Sequence, residues 1–374
     1  MHPLSQPFTS ANAAAPLPKM SVLSTLGAQA KSAKLDTLSA QLLELQGWLA
    51  GDLQLIESAL LVTDGANLAQ RAAHHILASG GKRLRPICVL LASRLGSKSA
   101  DLQVRLHARD LAVAVELVHA ATLLHDDVVD LSDTRRGHSA ARLMVGNEIS
   151  IFGGDWLLVE ALKRICSTNL PGLVPSALLT IESMIFAEVE QAQRARCLAS
   201  DREGYLRVVD GKTAALFRWA FHAGARAGGC SAQIDSTLAV FATHLGIAFQ
   251  LIDDALDLDG DVGQTGKPLF SDLAEGKITL PLALLLERAP HYAGDLEQIH
   301  QAAARPSWRE ESENRRLCEK ILKAAKATGA IKDAQQVAAE HLHLGQAALD
   351  NLDPHTPELH ALRAIADAMA TRQA

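Results

Sequence analysis

The sequence predicts an all-α fold, a single large helical bundle around a central apolar cavity. Three observations lead there. Hydrophobic residues make up 48% of the 374, yet aromatics only 4%, so the core must be built from Leu, Ala, Val and Ile, and Ala and Leu are among the strongest helix formers. Apolar residues recur at three- and four-residue spacing over long stretches. No convincing alternation of apolar and polar residues marks a strand.

The stripes come in order: Leu42, Leu45, Leu49, Leu53 and Ile56 first, then Leu106 to Leu124, Trp156 to Ile165, Ala177 to Gln191, Leu238 to Ile252 and Val337 to Leu349. Loops are marked by Gly80-Gly81, Pro171-Gly172, Gly228-Gly229, the stretch from Gly260 to Gly266, and Asp353-Pro354. No linker or short-period repeat divides the body, so residues 36–374 form one domain. Residues 1–35 differ: they are rich in Ala, Ser and Pro and hold no acid before Asp36. They are expected to be a disordered extension. A targeting peptide would also be poor in acids, but this segment lacks the usual arginines, and Met20 offers an alternative start.

Composition excludes several function classes. The net charge is −6, from 36 basic and 42 acidic residues, which argues against a nucleic-acid surface. The five cysteines, Cys88, Cys166, Cys197, Cys230 and Cys318, never form a CxxC pair, which argues against a zinc site or a disulfide framework and suits a reducing, cytoplasmic setting. No run of about 18 apolar residues is present, so at most peripheral membrane contact is expected.

The chemistry concentrates in two acidic motifs. In His125-Asp126-Asp127-Val128-Val129-Asp130, Asp126 and Asp130 share one helical face with Cβ atoms about 5–6 Å apart. Two such carboxylates can hold Mg²⁺ ions whose remaining oxygens come from water and substrate phosphates. Alone, the motif could equally be an acidic helix end meeting solvent. It is repeated, however, as Asp253-Asp254-Ala255-Leu256-Asp257, again after an apolar helix. Two copies at two greasy helix ends suggest facing carboxylate clusters above an apolar cavity, a site for a diphosphate with a hydrocarbon tail.

A basic segment, Gly80-Gly81-Lys82-Arg83-Leu84-Arg85-Pro86, lies upstream. Its glycines free the backbone, and its cations can hold a second diphosphate without metal. The spacing of a nucleotide P-loop is missing. Arg135 and Arg136 follow the first acidic motif, where they could grip metal-held phosphates. Lys212-Thr213, Lys267 and Lys277 are further candidates, although a lone helical lysine is ordinarily a solvated charge. His119 lies on an apolar face, where a histidine is more often a core residue than a ligand.

Taken together, GGKRLRP at 80–86, ELVHAATLLHDDVVDLSDTRRG at 116–137, GD at 154–155, GKTAALF at 211–217, FQLIDDALD at 249–257 and GKPLFSDLAEGKITLP at 266–281 resemble the trans-isoprenyl diphosphate synthases, also called the polyprenyl synthetase family. The likeness is greatest to its long-chain members, such as those making octaprenyl diphosphate as a quinone side-chain precursor. The resemblance implies an isoprenoid synthase fold, a homodimer, and Mg²⁺-dependent condensation of isopentenyl diphosphate with an allylic diphosphate. It implies that Asp126, Asp130 and Asp253 hold the metal, with Asp127, Asp254 and Asp257 in support. Lys82, Arg85, His119 and Arg136 would bind isopentenyl diphosphate, and Arg135 the allylic diphosphate. Lys212, Thr213, Gln250 and Lys267 would steady the allylic diphosphate and the developing cation, the two lysines acting in catalysis with the aspartates. The sequence departs from the family at Phe270, where Gly is common, at Ser271, where Asp is common, and at Ala187, where Gly is usual.

Product length is legible in part. The tail should run back along the helix that carries Asp126, past Ala121 and Thr122 and then Val118 and Val115. The first pair is small, so the tunnel looks open, with a floor expected near Met184 or Phe186. The alternatives are a shorter-chain synthase making geranylgeranyl diphosphate, a terpene cyclase, and a non-catalytic subunit. A cyclase normally lines its cavity with aromatics, whereas this chain has four Trp, two Tyr and eight Phe. A non-catalytic subunit typically lacks one acidic motif, and both are present here.

Overall fold

The computed structural model describes residues 22–61, 66–96, 101–198, 200–260, 268–305 and 307–371. The first half runs α1 (Val22–Ser32), α2 (Asp36–Leu60), α3 (Leu68–Ala78), α4 (Leu84–Arg94), α5 (Leu102–Val129), α6 (Ala141–Val145), α7 (Asn147–Ser167) and α8 (Leu173–Arg196). The second runs α9 (Arg202–Val209), a π-helical turn (Asp210–Ala214), α10 (Ala215–Gly228), α11 (Ala232–Asp259), α12 (Ser271–Ala274), α13 (Leu280–Arg288), α14 (Ala293–Ala302), α15 (Ser312–Ala327), α16 (Ala330–Leu349) and α17 (Pro357–Thr371). Among the described residues the only strands are β1 (Thr134–Arg135) and β2 (His138–Ser139), paired antiparallel.

The all-helical expectation holds, for the physical reason given by composition. Ala and Leu dominate the buried set, and small side chains let helix axes approach closely. At the α4–α10 crossing a Cβ on Gly224 would lie 2.3 Å from the Val89 carbonyl oxygen, so only glycine permits this contact. Helix α10 packs on both α5 and α11, while α7 covers α5 and α16 covers α11. The two motif-bearing helices are thereby held on either side of one cavity.

Two expectations need correcting. Residues 22–32, assigned by composition to a disordered extension, form α1, which buries Val22, Leu23, Leu26 and Ala30 against α2 and α17. Apolar burial at helical spacing outweighs the low acid content that suggested disorder. Residues 1–21 lie outside the described residues. Helix α11 is also long and apolar enough, by length and composition, to cross a membrane; here it packs inside the bundle. The five cysteines are free.

Candidate active site

A cavity of about 960 Å³ opens between the C-terminal ends of α5 and α11. Its depth is apolar, with Val118, Leu158, Ile181 and Met184 on one wall and Val208, Val209, Leu216, Phe217 and Phe249 on another. Its mouth is charged.

The first acidic motif ends α5, with Asp130 as the C-cap. The chain then reverses through the β1–β2 hairpin, whose two-residue turn places Arg136 at φ 52° and Gly137 at φ 76°, as this tight turn requires. The reversal folds Arg135 and Arg136 back over the end of α5. Asp126 and Asp130 line the cavity. The Lys212 ammonium, carried on the π-helical turn, lies 3.6 Å from Asp126 Oδ2, and Lys277 Nζ lies 2.8 Å from Asp130 Oδ2. Each lysine also meets a glutamate: Lys212 pairs with Glu188, and Lys277 with Glu275 at 2.6 Å. Burial opposes both ammonium charges. Glu275 and Asp130 nevertheless hold Lys277 well above the usual lysine range, and Asp126 and Glu188 raise Lys212.

Asp127 does not join this face. It is fully buried and absent from the cavity wall, and it accepts from Arg135 Nε at 2.7 Å. Adjacent helical residues do not share a face, so Asp127, next to Asp126, turns inward and fixes Arg135. The structure thus places Asp127 behind the cavity wall, in support of Arg135, rather than beside Asp126 and Asp130.

The second motif is used differently. Asp253 lines the cavity, with its Oδ1 3.8 Å from Lys82 Nζ. Asp254, 3% exposed, accepts from Tyr205 Oη at 2.5 Å and Gln250 Nε2 at 2.7 Å. Burial, with Asp272 adding, pushes its carboxyl up to about 7. Asp257 accepts from the backbone N–H groups of Ser271 at 3.1 Å and Asp272 at 3.2 Å, anchoring α12. Asp254 and Asp257 also line the cavity, and these hydrogen bonds fix both carboxylates beside Asp253. Thr213 donates to Gln250 Oε1 at 2.9 Å, so both line the cavity as one hydrogen-bonded chain leading to Asp254. Lys267 lies outside the described residues.

Lys82, Arg85, His119 and Arg136 all line the cavity. A Cβ on Gly81 would lie 3.1 Å from Arg136 Nη1, so the second glycine makes room for that guanidinium. Arg85 stacks 4.6 Å from the Phe217 ring centroid, and its buried Nε lacks a partner. Burial pulls Arg85 and Arg136 below the usual arginine value, and burial together with these arginines holds His119 well below its own, hence neutral. A buried cluster of cations with an unsatisfied donor fits an anion. Arg83 also lines the cavity, but its guanidinium is taken up by Glu57 at 2.5 Å and Glu116 at 2.6 Å.

The chemistry of the mouth fits divalent cations. Asp126 and Asp130 lie one turn apart and face Asp253 across the cavity, with Glu188, Asp272 and Glu275 adding negative charge. Among the described residues no group of three His, Cys, Asp or Glu side chains could hold an ion unaided. An ion that takes one or two carboxylates and fills its shell with water and phosphate oxygens matches such a site.

Spacing alone did not single out Glu188, Glu275 or Tyr205. The glutamates follow apolar or loop segments without a repeated pattern, and Tyr205 has no neighbouring motif. The departures from the family pattern are accommodated locally: Phe270 takes φ 60°, a conformation that favours glycine, and is held by burial of its ring. In the tunnel, Thr122 and Val118 line the wall whereas Ala121 does not. Met184 also lines it, but Phe186 is exposed on the outside of α8.

Comparison with known proteins bears on this geometry. The family model described as polyprenyl synthetase matches residues 66–321. The chain is 35% identical to octaprenyl diphosphate synthase of Escherichia coli over 321 residues, which cover 85% of this chain and 94% of that one. It is 36% identical over 244 residues to heptaprenyl diphosphate synthase component 2 of Geobacillus stearothermophilus, covering 65% and 75%. Its fold superposes with TM-score 0.78 on a polyprenyl synthase of Caulobacter crescentus complexed with calcium and isoprenyl diphosphate, at 33% identity, covering 88% and 97%.

Proposed function

The chain belongs to the polyprenyl synthetase family, and from that premise we propose that it condenses isopentenyl diphosphate with an allylic diphosphate to make a long-chain all-trans polyprenyl diphosphate, a quinone side-chain precursor. The observation that carries the reading is one cavity with two diphosphate sites of opposite design at its mouth and an apolar well beneath.

Asp126, Asp130 and Asp253 would hold Mg²⁺, which supplies charge neutralisation of the departing diphosphate. Lys212 and Lys277 stand beside these carboxylates, placed to pair with the allylic diphosphate as its negative charge develops. Lys82, Arg85 and Arg136 hold isopentenyl diphosphate so that its double bond meets the allylic carbon. His119, which lines the same part of the cavity, offers that anion a further hydrogen bond. The wall from Val118 to Met184 excludes water from the cation and receives the growing tail. The calcium and isoprenyl diphosphate named with the Caulobacter protein support both halves of this reading.

Assembly as a homodimer is proposed on the exposed apolar side chains Ile151, Phe152 and Val159 of α7 and Leu178, Leu179 and Phe186 of α8. Sedimentation at micromolar concentration should give a dimer, and a monomer contradicts it. Incubation with labelled isopentenyl diphosphate, Mg²⁺ and an allylic primer should give products longer than C20. Products ending at C20 would favour the geranylgeranyl alternative, and cyclised hydrocarbon would contradict prenyl transfer.

A further inference from the structure

Each cavity-facing carboxylate of the first motif meets a lysine, and each of those lysines is also paired with a glutamate. Asp126 meets Lys212 of the π-helical turn, which pairs with Glu188 of α8. Asp130 meets Lys277 of the α12–α13 loop, which pairs with Glu275 of the same loop. The arrangement thus arises twice, from unrelated stretches of chain. In both cases the lysine is largely buried, with side-chain exposures of 24% and 16%. A buried ammonium that loses its only partner is strongly destabilised.

This creates a conflict that the glutamates resolve. Divalent ions held by Asp126 and Asp130 would draw on the same carboxylate oxygens that meet the lysines. Without a second carboxylate, each ammonium would either remain on the aspartate and compete with the ion, or be left unpaired. The inference rests on the prenyl-transfer reading. We propose that Glu188 and Glu275 are positioning residues that give Lys212 and Lys277 a second anionic partner, so that Asp126 and Asp130 can pass from the ammoniums to metal while the ammoniums face the allylic diphosphate.

The variants are Glu188→Gln and Glu275→Gln, with Glu188→Asp as the conservative control. Turnover is measured alongside Mn²⁺ binding to the substrate-free enzyme, followed by electron paramagnetic resonance. Either Gln variant should raise the KM for the allylic substrate roughly tenfold, equivalent to one lost charge-assisted contact, with the KM for isopentenyl diphosphate unchanged. Mn²⁺ binding should weaken several-fold because each lysine is then left with its aspartate alone and competes with the ion for it. Glu188→Asp should recover part of both effects. In a Lys212→Met background, Glu188→Gln should no longer alter Mn²⁺ binding. Unchanged Mn²⁺ affinity in folded Gln variants, an equal rise in both KM values, or persistence of the metal effect in the Lys212→Met background would each overturn the proposal. Wild-type elongation in the same assay tests prenyl transfer separately, so failure of one idea is distinguishable from failure of the other.

Discussion

The two acidic motifs share a spacing but not a division of labour. At the end of α5, Asp126 and Asp130 both line the cavity, while Asp127 turns into the core to hold Arg135. On α11 all three aspartates line the cavity, but Asp253 faces Lys82, while Asp254 is bound by Tyr205 and Gln250 and Asp257 anchors α12. The cause is position in the helix. The first motif ends α5, so its fourth-residue neighbour stays at the open mouth. The second lies inside α11 with chain following it, so its fourth-residue neighbour meets the backbone of α12. Equal spacing therefore does not imply equal chemistry, and substitutions can separate the two.

The largest effect should come from the cavity-facing aspartates. Asp126→Asn and Asp253→Asn should each lower kcat by on the order of 10²–10³-fold, the usual cost of removing one group that stabilises transition-state charge, with helical content by circular dichroism unchanged. Asp257→Asn should lower kcat far less, and its main cost is about 1 kcal/mol of stability from a weakened backbone cap. Equal kinetic losses at all three positions would break the comparison.

Next in size is Asp127→Asn. It leaves the Arg135 guanidinium buried without a charged partner, and such a loss costs about 3 kcal/mol. A denaturant titration checks this, and a loss of activity in a variant of normal stability would return Asp127 to the metal site.

The helix below the first motif offers a sharper contrast. Thr122→Phe should shorten the main product, because Thr122 lines the tunnel one turn under Asp126. Ala121→Phe should instead strain a fully buried site by about 1–3 kcal/mol. Product chromatography and thermal melts of the two variants distinguish these outcomes; shortening by Ala121→Phe alone would reverse the assignment of the wall. The smallest effect is expected for Tyr205→Phe, about 1 kcal/mol for one lost hydrogen bond to Asp254, read from the denaturation midpoint.

Much of this was legible before the structure, and the remainder failed for identifiable reasons. Periodicity located the central helices, and the paired motifs with GGKRLRP pointed to the charged residues that meet at the mouth of one cavity. Which aspartate of each triplet faces inward was not legible, because that depends on rotation of the helix against its neighbours rather than on spacing. Helix α1 was missed because composition outweighed four apolar positions, Val22, Leu23, Leu26 and Ala30, now buried beside the basic loop. The pairing of Lys212 with Glu188 joins α8 to the π-helical turn, a tertiary contact that no local pattern announces.

The central claim is that Asp126, Asp130 and Asp253, and not their neighbours, hold divalent ions against the allylic diphosphate. Mn²⁺ binding measured with a non-ionising thio analogue of the allylic substrate tests it most directly. The account predicts fewer bound ions in Asp126→Asn and Asp253→Asn, and the wild-type number in Asp257→Asn and in any folded Asp127→Asn. Wild-type binding in Asp126→Asn and Asp253→Asn, or equal loss in all four variants, would contradict it.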